Sequence, residues 1–332
     1  MHAPILFLAS TNDFNSPTDN VVRALSRVPH DDKRLVMATH YNHAFSPAAG
    51  IADEMWFEHH LKDAFVFPQT PTATVRLETP DGVPVVTVIP DPTSQLKINA
   101  GDIHYTYGRQ PMVRYWADAM AMKKGDHWEG RCPTFFDDEP LSMHANVTYA
   151  IEHTLGDPKH KDQKELLVTS NYLMATPEQL TAAGVKPTKK TSRLIDDFSR
   201  GLKDWTGNLA SGRGWYLETR KIVDPRWNGP KGAELACDVL SPTAGATLGV
   251  MITRRFQGQN NGEFRYYGFV KMAKKGWNEI RVQPETLENI YGAKLDDWHK
   301  VMKIQFIDGQ SLARDKQNRM PKAGDKHPAG AT

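Results

Sequence analysis

Two short apolar runs without alternation, Ile5-Leu6-Phe7-Leu8-Ala9 and Arg34-Leu35-Val36-Met37-Ala38-Thr39, are each followed by a helical pattern, and this pairing constrains the chain more than any other feature. Runs of this kind suit strands covered on both faces. After the first, Ser16-Pro17-Thr18-Asp19 sets an N-cap before Pro at the first helical position, and Val21, Val22, Leu25 and Val28 follow at helical spacing. After the second, a helix from about Ala49 to Leu61 puts Ile51 with Met55 and Ala52 with Trp56 on one side. Strand, helix, strand, helix implies a parallel pair, because parallel strands need a crossover and a helix supplies one. Open sheets usually carry about four to six strands, so two strands are expected to lack most of their sheet. Residues 1–62 alone should fold poorly.

From Phe65 to Pro71 a Pro-marked linker intervenes, and the apolar period then changes to two. Thr74–Thr79, Val83–Ile89 and Ile103–Tyr107 are separated by turn-formers, as hairpin-connected strands are. Trp116, Trp128 and His144–Tyr149 extend this β-sandwich to about Ile151, and the charged stretch Gly156–Asp162 suits a boundary. Further strands are expected at Leu166–Val168, Gly214–Leu217, Gly249–Thr253, Phe264–Val270, Asn278–Val282 and Val301–Phe306. From Ala313 onward apolar content collapses, which predicts a disordered tail.

Composition then removes whole classes of function. Of 332 residues, 39% are hydrophobic and 24% charged, which describes a folded chain, and the net charge of +2 supplies no global field for nucleic acid or anionic lipid. No run approaches the ~18 apolar residues of a membrane helix, and Met1–Ser10 has neither a basic segment nor a long apolar one of the kind that directs export. Cys132 and Cys237, the two cysteines, show no ligand or disulfide pattern.

Acyl transfer needs a nucleophile, an imidazole base and a carboxylate that fixes the imidazole tautomer. Asp13 stands at the carboxyl end of the first strand and His43 in the loop after the second, and loops at that edge of a parallel sheet open onto one face. The pair is therefore expected as two of the three catalytic groups. His40 abuts its strand and reads as structural, and Asp19 reads as a first-turn helix acid. A metal set from His40, His43, His59 and His60 is disfavoured, since His59 and His60 are expected on different sides of a helix.

The order strand-Asp-helix-strand-His-helix resembles the end of an α/β-hydrolase. Asn42-His43-Ala44-Phe45 and Asn12-Asp13-Phe14-Asn15-Ser16-Pro17 resemble the base and acid loops of dienelactone hydrolases, and Trp56–Leu61 is similar to the closing helix of that fold. A terminus of this kind followed by a strand-rich module also resembles PhoPQ-activated pathogenicity-related proteins and acetyl-xylan-esterase-like hydrolases. Those enzymes carry a G-x-S-x-G elbow ahead of the acid. Here the motif is absent, with Ser211-Gly212-Arg213-Gly214 only a near miss, and the oxyanion hole goes with it.

Leu194–Phe198 with Trp205, Gly276–Ile280 and Leu295–Trp298 resemble galactose-binding-like jelly rolls. On that resemblance Trp205, Trp215 and Trp227 are candidate sugar-stacking residues, while Trp277 and Trp298 read as core. No cofactor is expected: Asp196 and Asp197 offer the oxygen ligands a structural Ca²⁺ takes, but two acids do not make a site. Arg109, Arg114 and Tyr105 read as a solvated edge, and the sequon Asn146-Val147-Thr148 as chance.

The expected fold class is mixed: an α/β-hydrolase βαβα remnant (1–64), an Ig/fibronectin-like β-sandwich (65–155), a galactose-binding-like jelly roll (164–312) and the tail (313–332). The expected function is a truncated serine-type hydrolase of ester or acyl substrates, including carbohydrate esters, lacking its nucleophile in this chain and so a poor catalyst as it stands. The alternative is a non-catalytic carbohydrate-binding β-sandwich protein. An ester or carbohydrate substrate is the expected partner, with no nucleic acid and no membrane, and the resemblance implies an extracytoplasmic setting.

Overall fold

The computed structural model describes residues 3–108, 111–152, 155–208, 214–227, 229–254 and 264–320. It is β-rich, with several sheets, and divides into two compact units, 1–190 and 191–332. Arg109 and Ser211-Gly212-Arg213 lie outside the described residues.

In the first unit β1 (Ile5–Ser10), α1 (Thr18–Ser26) and β2 (Lys33–Ala38) form the expected parallel crossover, in register from Ile5↔Lys33 to Ser10↔Ala38. The following helix comes as two pieces, α2 (Pro47–Gly50) and α3 (Ala52–Lys62). Ile51, Ala52, Met55 and Trp56 are all buried, the side the spacing selected. One face of the parallel pair, Phe7, Ala9, Leu35 and Met37, packs on Val21 and Leu25 of α1 and on Tyr172.

The sheet does not stop at two strands. The strands that follow in this unit are β3 (Thr72–Arg76), β4 (Val85–Ile89), β5 (Ile98–Tyr107), β6 (Ala117–Asp118), β7 (Met122–Lys124), β8 (His127–Arg131), β9 (Leu141–Ala150), β10 (Glu165–Thr169) and β11 (Leu173–Ala175). Strand β10 meets the free edge of β2 antiparallel at Thr169↔Leu35, and β9, β5 and β6 continue the order β1-β2-β10-β9-β5-β6, with β11 on the end of β9. The strand that pairs with β2, β10, is thus supplied from more than a hundred residues downstream. The stretch Gly156–Asp162, expected as a boundary, is a loop between adjacent strands of one sheet.

A second sheet, β3-β4-β8-β7, covers one face of this one. The approach is close: a Cβ on Gly101 of β5 would come 2.6 Å from Trp128 Cδ2 of β8. Alternation on β9 sorts the two faces. Leu141, Met143, Ala145, Val147 and Tyr149 share a face with Ile103 and Tyr105 across β5, while Ser142, His144 and Asn146 occupy the other. Both sets are buried. Helix α4 (Pro177–Ala182) closes the unit, its Thr176–Gln179 capping box complete.

The second unit holds β12 (Thr206–Asn208), β13 (Tyr216–Thr219), β14 (Leu235–Ser241), β15 (Thr247–Thr253), β16 (Arg265–Lys271), β17 (Gly276–Val282), β18 (Lys303–Asp308) and α5 (Gly309–Arg319). Its sheets are β12-β13-β18-β15-β16 and the hairpin-like pair β14-β17. The core between them is Leu248, Val250 and Ile252 of β15, Ile304 of β18 and Ile280 and Val282 of β17, joined by Leu287, Leu295 and Trp298. The disordered tail is corrected in part: Ala313–Arg319 belong to α5, which Asp308 caps by accepting from Ser311 N–H at 2.9 Å and which buries Leu312 completely. Residues 321–332 lie outside the described residues.

Candidate functional site

The loops after β1 and β2 are laced together by backbone and side-chain bonds. Thr11 N–H donates to Ala38 O and Asn12 N–H to Tyr41 O, both at 3.0 Å, while Thr11 Oγ1 accepts from His40 N–H at 2.8 Å and Asn42 Oδ1 from Phe14 N–H at 3.2 Å. Strand order brings the loops near, and this lacing fixes their registers.

Asp13 and His43 meet as the sequence predicted. His43 Nδ1 lies 3.1 Å from Asp13 Oδ2 and 3.3 Å from Oδ1, and Oδ1 also accepts from Asn15 N–H at 2.7 Å and Ser16 N–H at 3.3 Å. The carboxylate is therefore held by its own Asx turn before it touches the imidazole. Its side chain is 11% exposed, that of His43 63%. A carboxylate accepts only, so a neutral imidazole bonded through Nδ1 carries its proton there and leaves the Nε2 lone pair free. Phe14 packs against the ring at a centroid distance of 5.5 Å. His40 turns away: it adopts a left-handed backbone (φ 69°) and stacks on Tyr115 at 5.5 Å.

Sequence reasoning missed what clamps the acid loop. Arg114, read as a solvated edge, is 4% exposed, and so is corrected to a buried residue, as is Tyr105 at 2%. Its guanidinium grips Asp19 of α1 through Nη1–Oδ1 at 2.6 Å and Nη2–Oδ2 at 3.1 Å, and Nε–H donates to Gly108 O at 2.9 Å. Its own carbonyl accepts from Asn12 Nδ2 at 2.8 Å, beside Asp13. Asp19 is thus both a first-turn acid and an ion-pair partner. Nothing in the local pattern of either residue announces a contact across 95 positions.

Behind the loops the polar face of β9 continues as a buried network. His144 Nε2 is 3.3 Å from Thr39 Oγ1, and Asn146 donates to Met37 O and Thr39 Oγ1 at 3.2 Å each while accepting from Thr169 Oγ1 at 2.8 Å. Burial, with the charges of His104 and His40 adding to it, holds the His144 imidazole well below its ordinary range and so neutral. Asn146 is 3% exposed, so the sequon sits inside the fold.

The remaining expectations divide. His59 and His60 do not point apart, since their rings lie 4.4 Å from one another. Among the described residues no group of three His, Cys, Asp or Glu side chains could hold a metal ion, and both cysteines are free thiols. Asp196 Oδ2 accepts from Lys221 Nζ at 2.7 Å and Trp205 Nε1 at 2.9 Å, so Lys221 supplies the cation beside it; Asp197 Oδ1 caps Ser199 N–H at 3.0 Å. Of the proposed stacking residues, Trp205 is 8% exposed between Phe198 and Phe306, which makes it a core residue. Trp227 donates from Nε1 to Leu194 O and packs on the core, and Trp215 is 36% exposed. The three form no shared open platform. Trp298 is core as expected, but Trp277 is 63% exposed, against expectation.

Compared with models of known protein families and with curated proteins, the chain matches none.

Proposed function

We propose that the first unit carries the acid and base of an ester or acyl hydrolase of serine type, with Asp13 orienting His43 and Nε2 of His43 serving as general base toward a nucleophile on polypeptide outside this sequence. The observation that carries this reading is the 3.1 Å contact between Asp13 Oδ2 and His43 Nδ1, made by a mostly buried carboxylate to an imidazole whose ring is largely open to solvent. That arrangement suits base catalysis. The carboxylate fixes the tautomer and stabilises the imidazolium that forms when Nε2 takes a proton, and the open side of the ring leaves room for the hydroxyl and the acyl group. The βαβα remnant of an α/β-hydrolase sheet is the fold this reading implies for residues 1–64.

The test compares two polypeptides, the 332-residue chain and the same chain joined to whatever its gene encodes upstream, each with an activated acyl ester and a serine-directed phosphonate probe. The chain alone should hydrolyse the ester no faster than its His43→Ala variant. The extended polypeptide should turn over and label, and His43→Ala and Asp13→Asn should each lower its kcat by about 10³–10⁴. Turnover in the extended polypeptide that survives both substitutions would defeat the assignment.

A further inference from the structure

Three histidines form a row beside the loop that carries His43. His104 of β5 and His144 of β9 are directly opposite in register on the polar face of the sheet, with ring centroids 5.3 Å apart. His40, from the loop after β2, follows at 6.3 Å from His104. Aromatic rings flank the row: Tyr115 stacks on His40 at 5.5 Å, and Trp116 meets His144 edge-on at 4.7 Å and Tyr172 at 6.1 Å. His144 is fully buried against Thr39, while His40 and His104 are half-buried.

Charge around the row is uneven. Asp118 of β6 lies opposite His104, and Asp102 shares its face two positions earlier on β5; both are half-buried. The Arg114–Asp19 pair acts on Tyr172, one ring further out. Burial pushes the phenols of Tyr41 and Tyr172 up, so both stay neutral at and below pH 7. The charges that act on His144 are those of His104 and His40, and each opposes its cation. Like charges this close and this far from water repel strongly, so the closed row holds fewer protons than the same three rings in water.

The loop begins at this row. His40 has a left-handed backbone (φ 69°), which a non-glycine residue keeps only while its surroundings enforce it, and its N–H donates to Thr11 Oγ1 at 2.8 Å. The next two residues hold the acid loop, Tyr41 O accepting from Asn12 N–H at 3.0 Å and Asn42 Oδ1 from Phe14 N–H at 3.2 Å. We propose that His40, His104 and His144 are an acid-operated latch on the 39–43 loop, which keeps His43 on Asp13 while the rings are neutral and releases it when the row is charged. Opening moves His40 away from His104 and brings water to His144. The open loop therefore binds protons that the closed one refuses, and acid favours it by up to about tenfold per pH unit for each such proton. His43 works the other way, since its cation gains from Asp13, but solvent screens that pair at a ring 63% exposed. As regulation of the Asp13–His43 pair the latch rests on the base assignment made above.

Amide exchange of the full 332-residue chain tests it, read by NMR at about pH 7.5 and 5.5 as protection relative to the intrinsic rate at each pH. Protection of the His40, Asn12 and Phe14 N–H groups should fall by about tenfold over that range, the amount that one proton taken up only on opening supplies. At both pH values these groups should be at least about tenfold less protected than Val147 of β9, which marks the loop as opening by itself. His144→Gln should cut the fall to less than about threefold, and His43→Ala should leave it in place. Should His144→Gln not fold, ring ¹⁵N shifts of the wild-type chain serve instead, and His144 should be neutral at pH 5.5 while the loop is closed. The proposal is overturned if loop protection changes by less than about threefold in the wild type, or if loop and Val147 are equally protected. It is also overturned if the fall survives His144→Gln or vanishes in His43→Ala, or if all three rings are charged with loop protection undiminished. None of these readouts uses ester turnover, so the latch and the base assignment can each fail without the other.

Discussion

Removal of the Arg114 side chain tests whether the acid loop owes its position to a contact made 95 residues away. In Arg114→Ala the half-buried Gly108 carbonyl loses its donor at 2.9 Å, which costs about 1–2 kcal/mol. The pair with Asp19 is bidentate, but Asp19 is 39% exposed, so solvent screening limits its share to about 1 kcal/mol. The buried methylene stem adds roughly 1–2 kcal/mol, and the freedom regained by a long side chain returns about 1 kcal/mol. The expected loss is thus about 3 kcal/mol, and at about 2–4 °C per kcal/mol for a unit of this size the melting point falls by roughly 6–12 °C. Calorimetry reads the first quantity and amide exchange the second effect. Asn15 and Ser16, whose N–H groups are held by Asp13 Oδ1, should exchange faster in the variant at a temperature where both proteins are folded. Arg114→Lys, which keeps the charge but not the fork, should recover less than half of the loss. A loss below about 1 kcal/mol together with unchanged exchange at Asn15 and Ser16 would refute the clamp.

Two further perturbations address charge in the interior. His144 is held neutral when folded, well below the ordinary 6.5, because burial and then the neighbouring charges of His104 and His40 disfavour its cation. The unfolded chain takes up a proton below that value and the folded chain does not, so this contribution to stability is complete above about pH 6.5 and is lost as pH falls, by up to about 1.4 kcal/mol per unit. Urea unfolding at pH 7, 6 and 5 should give a slope shallower by one proton in His144→Gln, and an identical slope would show that His144 does not titrate on unfolding. In the second unit Lys221 Nζ sits 2.7 Å from Asp196 Oδ2 and 2.8 Å from Asp204 Oδ2, all three side chains being 10% exposed or less. Lys221→Met removes the ammonium that both carboxylates share, leaving Asp196 with Trp205 Nε1 and Asp204 with Arg200, and should cost about 3 kcal/mol, part of it regained by adding Asp196→Asn, as measured by chemical denaturation. A neutral Lys221→Met would show the carboxylates to be solvated.

What could be read from the sequence was what repeats locally. The strands β1, β2, β15, β16 and β17 were legible as short apolar runs, and Asp13 and His43 because neighbouring parallel strands deliver their following loops to one edge. Pairing over long separations was not legible. Periodicity says that β10 is a strand but not that Leu35 is its neighbour, and so one sheet was divided among three modules. Strand β14 escaped because two of its three outward positions, Ala236 and Leu240, are as apolar as its inward ones, and Asp238 alone marks the alternation. Helix α5 escaped because it buries little besides Gly309 and Leu312.

Trp277 shows how a residue rule can fail where a parity rule holds. Large aromatics dominate cores, yet in β17 the inward set is Asn278, Ile280 and Val282, and period two then sends Trp277 outward, opposite the equally exposed Leu240. The same parity on β18 sends Lys303 and Gln305 to the face opposite Ile304 and Phe306, and on β9 it collects Ser142, His144 and Asn146. In both sheets the informative pattern is a polar alternate set that the fold nevertheless buries. A half-buried antiparallel strand normally gives its polar set to water, so burying that set demands partners. On β9 Thr39 and Thr169 supply most of them. On β18 Glu218 answers Lys303, yet each face keeps a buried atom without a partner among the described residues, His144 Nδ1 on β9 and Gln305 Oε1 on β18, so burying an alternate polar set satisfies most of it and not all in either sheet.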